Sequence, residues 1–272
     1  MTEISEILNP SQPKQDEYLG KDNLLYCSKC GTARQKRLNV LERDYLVRCL
    51  CRCQAEKAQQ EEDARKAAEL RDRVARYRSL GITDAALRTA TFANDKYGSA
   101  EMEIAKNYVN HFDQMRQEGT GLLLWGSVGT GKTYIAACIA NALLDRAVPV
   151  MMTSFGRILA GMPSVASGEQ SRYIDSFNTY DLLVIDDLGV ERSTEYAVEQ
   201  VYNVVDARYR ARLPLVVTTN RKLSELKDPE IIEKQRIYDR ILERCAPVKV
   251  DGRHIRGENR DRMRREAKAL LT

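Results

Sequence analysis

Histidine and tryptophan are almost missing from this chain, with two of the first and one of the second in 272 residues. A metal site must therefore rest mainly on thiolates or carboxylates. Long apolar runs are also absent. None approaches the roughly 18 residues that span a bilayer, so no membrane association is expected. The first residues, Met1-Thr2-Glu3-Ile4-Ser5-Glu6, have neither a basic segment nor an apolar one, and no signal peptide is expected. A strong charge of one sign is missing too, since 43 Lys and Arg face 39 Asp and Glu for a formal +4. That excess lies between Lys249 and Lys268, where eight basic residues meet four acidic ones. This basic tail is either a nucleic-acid contact or a solvated helix face.

What is present is enough for a core, with 43% hydrophobic and 30% charged residues. Seven cysteines, an odd number in a long chain, do not read as a secreted disulfide framework. Reduced thiols and a cytoplasmic location are the expectation. Five of the seven fall between Cys27 and Cys53 and mark a small module over residues 21–53, preceded by a polar flexible lead over 1–20. From Gln54 to about Arg78 the chain is rich in Ala, Glu, Gln, Lys and Arg and has no Gly or Pro. That composition predicts a connecting helix over 54–80, ended by Gly81.

After about residue 100 helical patterns alternate with short apolar runs. Helices are predicted over Ile104 to Met115 and Tyr134 to Leu144. Strands are predicted at Leu122–Trp125, Val148–Met152, Leu182–Ile185 and Leu215–Thr218. This order predicts an α/β domain over 90–272, a parallel sheet covered by helices on both faces. Cys138 and Cys245 stand alone and read as packing residues.

The chemistry is concentrated in three places. Gly126-Ser127-Val128-Gly129-Thr130-Gly131-Lys132-Thr133 fits G-x-x-x-x-G-K-[ST], with a strand before it and a helix after it. Its amides would surround phosphate at the positive end of the helix. Lys132 would reach the β- and γ-phosphates of ATP, and the Thr133 hydroxyl would ligate Mg²⁺. Fifty-four residues after Lys132, Leu182-Leu183-Val184-Ile185 ends in Asp186-Asp187. Asp186 would hold Mg²⁺ through water, and Asp187 would polarise the attacking water. Val216-Val217-Thr218-Thr219-Asn220 is a further strand ending in a polar residue, where Asn220 could touch the γ-phosphate or align that water. Later arginines, in Arg236 to Arg244 and in Gly252-Arg253-His254-Ile255-Arg256, are each a surface residue or a charge partner for a transferring phosphoryl group.

The series GSVGTGKT, LLVIDD, VVTTN, RIYDRILERC and GRHIR resembles the AAA+ ATPases of the DnaC/DnaI helicase-loader and IstB group, over roughly residues 90–265. The resemblance implies that Lys132 and Thr133 are Walker A residues, Asp186 and Asp187 Walker B, and Asn220 sensor 1. It further implies that Arg240 is an arginine finger acting in trans and Arg256 the sensor 2 arginine. General AAA+ enzymes carry Asp-Glu where this chain carries Asp-Asp, which suits a slowly hydrolysing switch.

The cysteine module carries Cys27-Ser28-Lys29-Cys30, and then Cys49-Leu50-Cys51-Arg52-Cys53. Two thiolate pairs at this separation fit a Cys₄ zinc site, with Cys27, Cys30, Cys51 and Cys53 favoured and Cys49 competing. A redox pair, an iron–sulfur cluster and unliganded thiols are the alternatives. About thirty residues bury too little to fold alone, so a structural metal makes physical sense. In similar loaders the N-terminal part binds the replicative helicase.

The resulting expectation is an ATP-controlled loader that self-assembles through its AAA+ domains and places a DnaB-type helicase on single-stranded DNA. Basic tail residues, Arg157 and Phe155 are candidate DNA contacts. An IstB-like transposition helper and a zinc-dependent adaptor that binds ATP without turnover are the alternatives.

Overall fold

The structure is a computed structural model that describes residues 13–40, 43–95, 98–162, 167–189, 194–229, 232–251 and 254–271. The chain divides into two compact units, Met1–Arg71 and Asp72–Thr272. Of the lead read over 1–20, residues 1–12 lie outside the described residues.

The first unit is built from two small hairpins. Strand β1 (Glu17–Leu19) pairs antiparallel with β2 (Leu25–Cys27), and β3 (Gln35–Val40) with β4 (Arg43–Arg48). The module therefore begins inside the stretch read as a lead, because Glu17 is a buried anchor and not a solvated residue. Helix α1 (Arg52–Gly81) starts among the last cysteines and runs through the stretch whose composition favours helix. Its polar surface is laced by exposed pairs such as Lys57–Glu61 and Lys66–Glu62, each worth a few tenths of a kcal/mol at about the i,i+4 spacing. The boundary between the two units falls within this helix.

The second unit opens with α2 (Ala100–Asn110) and α3 (Phe112–Glu118), then β5 (Gly121–Trp125), α4 (Lys132–Asp145), β6 (Val150–Ser154), α5 (Phe155–Gly161) and α6 (Ser167–Ser176). There follow β7 (Leu182–Leu188), α7 (Glu195–Arg210), β8 (Leu215–Thr219), α8 (Leu223–Lys227), α9 (Ile232–Arg244), β9 (Cys245–Lys249) and α10 (Ile255–Leu271). The predicted single helix over 104–115 is two, split at His111, whose ψ of 21° leaves the helical range. Ser99 caps α2 by accepting from the Met102 amide.

The strands form one parallel sheet in the order β6-β7-β8-β5-β9. Successive residues of a strand point to opposite faces. Leu122, Leu124, Val184 and Val216 pack on α2 and α4, while Leu123, Leu183, Ile185 and Val217 pack on α7 and α9. Both faces are covered by apolar side chains, so the strands read as continuous apolar runs. Strand β9 escaped the sequence reading because it is an edge: only Cys245 and Val248 are buried, and Pro247 breaks the pattern. Cys138 and Cys245 are buried in the core, and burial pushes both thiols up to about 12. Phe155 is 1% exposed within the layer that includes Leu183 and Val201, so it is a core aromatic and not a stacking platform for bases. Among the described residues no helix is long and apolar enough to cross a membrane.

Candidate functional site

In a parallel sheet all strand ends of one sense lie along one edge, and ligands bind there. Strands β7, β8 and β5 are neighbours, so their carboxyl ends bring Asp186, Thr218 and the 126–133 loop together. The loop turns through left-handed backbone at Gly126, Gly129 and Gly131 and enters α4. Gly131 caps α4 without a side-chain partner for its first amides, and the first turn holds no acidic residue. Those amides and the helix dipole suit an anion. The Lys132 ammonium donates to the carbonyls of Gly126 and Ser127 at 2.9 and 2.6 Å, folded over the loop it belongs to.

Thr133 Oγ1 donates to Asp186 at 2.9 Å, and Thr218 Oγ1 donates to the same carboxylate at 2.6 Å. Burial pushes the Asp186 carboxyl above its ordinary value, against the two hydroxyls that favour the charged form. A hydroxyl and a carboxylate this close, beside an anion cradle, form a hard-oxygen donor set that suits Mg²⁺.

Two consecutive strand residues would normally face opposite ways. Here β7 carries one extra residue against β8, with the register shifting between Ile185 and Leu188. Asp187 takes up the extra residue at φ 57°, a left-handed conformation that Asp tolerates better than most side chains. Its amide donates to Thr218 Oγ1 at 2.9 Å, and Asn220 Nδ2 lies 3.4 Å from its carboxylate. The bulge thus turns both carboxylates to the ligand edge. Thr218 was not singled out in the sequence, although it sits two residues before Asn220. Fully buried, its one hydroxyl ties Asp186 to Asp187.

Arg240 does not join this group. On α9, its guanidinium is held against α7 by Asp206 at 2.7 Å and the Tyr202 hydroxyl at 2.9 Å, over the Tyr202 ring. Arg256 is in the first turn of α10, and its side chain lies outside the described residues, as do Gly252 and Arg253. Arg157 is exposed and hydrogen-bonds Thr83.

In the first unit the sulfurs of Cys27, Cys30, Cys51 and Cys53 all lie within 4.8 Å of one another. Cys27 and Cys53 are 3.8 Å apart, and a tetrahedron with metal–sulfur bonds of about 2.3 Å has edges of about 3.8 Å. Cys49 points elsewhere, toward the Ala33 carbonyl at 3.6 Å. The Thr32 hydroxyl, 3.0 Å away, is the largest cause holding the Cys30 thiol down to about 5. Its contact with Cys51 and then burial push Cys53 up to about 12. Four such sulfurs could share one soft divalent cation.

The surroundings of these thiols were not legible. Arg34, 6% exposed, donates to Cys27 Sγ at 3.6 Å and pairs with Glu17 and Asp16. Arg48 completes the set at 2.7 Å from Glu17. Burial works to raise the Glu17 carboxyl, but the Lys14 amide and the two guanidiniums outweigh it and hold the group at about 2. Nothing in the spacing of these residues marks them.

Comparison with known proteins adds the family. A model described as IstB-like ATP binding protein matches residues 62–263. The replicative helicase loader DnaI of Bacillus subtilis is 30% identical over 152 residues, 51% of this chain and 48% of that protein. The replicative helicase loader DnaC of Escherichia coli is 28% identical over 140 residues, 50% of this chain and 55% of that protein. This chain thus spans about half the length of the curated relatives it matches. The crystal structure of DnaI superposes with a TM-score of 0.54 at 23% identity, over 66% of this chain and 99% of that one. That likeness is one of fold, the AAA+ P-loop fold.

Proposed function

Because the chain belongs to the family of IstB-like ATP binding proteins, we propose that it is a Mg²⁺-dependent ATPase that acts as a helicase loader. It binds a DnaB-type replicative helicase and single-stranded DNA, and uses slow ATP hydrolysis as a switch. The observation that carries the ATPase reading is the junction of Thr133, Asp186, Thr218 and Asp187 beside the 126–133 loop.

Each residue then has a task. The loop amides and Lys132 hold the phosphate chain, the ammonium exchanging its loop carbonyls for phosphate oxygens. Thr133 and Asp186 would hold Mg²⁺, which neutralises charge developing on the phosphoryl group. Asp187 orients the attacking water, and Asn220, close to it, fixes its direction toward the γ-phosphate. Arg240 completes a neighbouring subunit's site after leaving Asp206, so hydrolysis depends on self-assembly. Arg256 reads the nucleotide from α10. In the first unit Cys27, Cys30, Cys51 and Cys53 hold a structural Zn²⁺, and the module they form is the helicase-binding part. The basic tail contacts DNA phosphates.

The similarity to DnaI and DnaC supports the loader reading over the alternative, an IstB-like transposition helper that acts on duplex DNA. A capture experiment with the full chain separates them. A loader should retain purified DnaB-type helicase differently in ATP and ADP and prefer single-stranded DNA. Preference for duplex with no retention of helicase would support the transposition reading instead.

A further inference from the structure

We infer that His254 is a nucleotide-contacting residue whose Nε2–H donates to the phosphate chain held at the 126–133 loop. This rests on the reading of that loop as the ATP site. Residue 254 stands just before α10, and its Nδ1 accepts from the Gly257 amide at 3.0 Å. That is a cap in the i to i+3 relation, like Ser99 to Met102, Ser154 to Arg157 and Thr194 to Ala197 elsewhere in this chain. A serine or threonine would serve the cap alone. A histidine has a second nitrogen, and its position is fixed by two glycines.

A Cβ placed on Gly257 would lie 2.4 Å from His254 Nδ1, and one on Gly129 would lie 2.5 Å from Nε2. The imidazole is therefore slotted between the first turn of α10 and the phosphate loop, and the absence of a side chain on both sides is what admits it. Gly129 is also at φ +83°, so loop shape and ring access both call for glycine there. With Nδ1 accepting a backbone N–H, the proton of the neutral ring is on Nε2. The result is a donor with a fixed tautomer, aimed at the loop and attached to the helix that follows. The ring is otherwise exposed, so a ligand in the loop can reach it. One side chain then joins the nucleotide to α10, in the same Gly252–Arg256 segment as Arg256.

The test uses the full chain, Mg·ATP titration and His254→Asn. Asparagine caps helices well but is too short to reach Gly129. The nucleotide-free variant should keep the parent's melting temperature, while its Kd for Mg·ATP rises about tenfold, the weight of one hydrogen bond to a charged acceptor. Two histidines make the ring nitrogens of ¹⁵N-histidine-labelled protein assignable. The Nε2 signal that disappears in His254→Asn should move when Mg·ATP is added to the parent. Parental affinity in His254→Asn while Lys132→Ala loses ATP would overturn the role of His254 and leave the loop reading intact. Parental affinity in Lys132→Ala would overturn both. A lowered melting temperature with an unmoved Nε2 signal would reduce the residue to a helix cap.

Discussion

The nucleotide site and the cysteine module are built on opposite principles. Residues of the first are far apart in sequence, from Gly126 to Asn220, and meet because three adjacent strands end side by side. Two buried layers rich in Leu, Val, Ile and Ala hold those strands before any ligand arrives. Among the described residues the module has two short hairpins and few fully buried apolar residues, Leu25, Cys27 and Cys51. What is buried there instead is polar: Glu17, Arg34 and Gln35. One site borrows rigidity from a core, while on the zinc reading proposed above the other would obtain it from ion pairs and a metal.

The contrast can be broken by four experiments, taken in order of the stability each should cost. Removing metal comes first. The protein should carry about one zinc per chain. Chelation or Cys27→Ser should release β1 to β4, a loss on the order of 10 kcal/mol of metal-coupled folding. Amide exchange should rise across Glu17–Arg48 and stay unchanged across Lys132–Asp145. Iron with sulfide, or no metal in reduced protein, would refute the zinc reading.

Leu123→Ala is the reciprocal. It opens a cavity in the layer under α7 and α9 and should cost ~2–5 kcal/mol, with faster exchange in β5, β7 and β8 and none in the hairpins. Exchange that spreads to the hairpins would contradict independent stabilisation.

Third is Glu17→Gln, which leaves Arg34 and Arg48 short of their shared carboxylate and should cost ~2–3 kcal/mol near neutral pH. The folded Glu17 carboxyl lies at about 2 against an ordinary 4.5. Its stabilisation is therefore complete above about pH 4.5 and lost as pH falls toward 2. The stability gap between parent and variant should close across that window, and a gap independent of pH would remove the ion pairs from the account.

Arg240→Ala should cost least, roughly 1 kcal/mol for the pair with Asp206. It should bind ATP normally yet hydrolyse it ~10³-fold more slowly or worse. Mixing it with Lys132→Ala should restore some turnover if the residue acts in trans. A full-rate variant would remove Arg240 from the reaction.

The same contrast explains what could be read from the sequence. A phosphate loop needs particular residues at fixed offsets, so GSVGTGKT, LLVIDD and VVTTN mark a candidate site without the fold. The buried strands were legible because both faces are apolar. Edge strand β9 was not, since one proline and two exposed positions hide it. The cysteine cluster was legible by spacing, and the geometry groups Cys51 and Cys53 with Cys27 and Cys30 and sets Cys49 apart. Arg34, Glu17 and Thr218 were invisible because buried polar partners follow from tertiary placement, not from period or motif. The bulge that turns Asp186 and Asp187 to one edge belongs to the same class.

The central claim is that ATP is hydrolysed where the β5, β7 and β8 ends meet, and Asp187→Asn tests it most directly. Asparagine tolerates the same left-handed backbone, so the bulge should survive. Phosphate release at saturating Mg·ATP should fall at least ~100-fold, the contribution of a positioned base, with ATP affinity retained. Release at the parent's rate, with ATP bound equally well, would contradict the account.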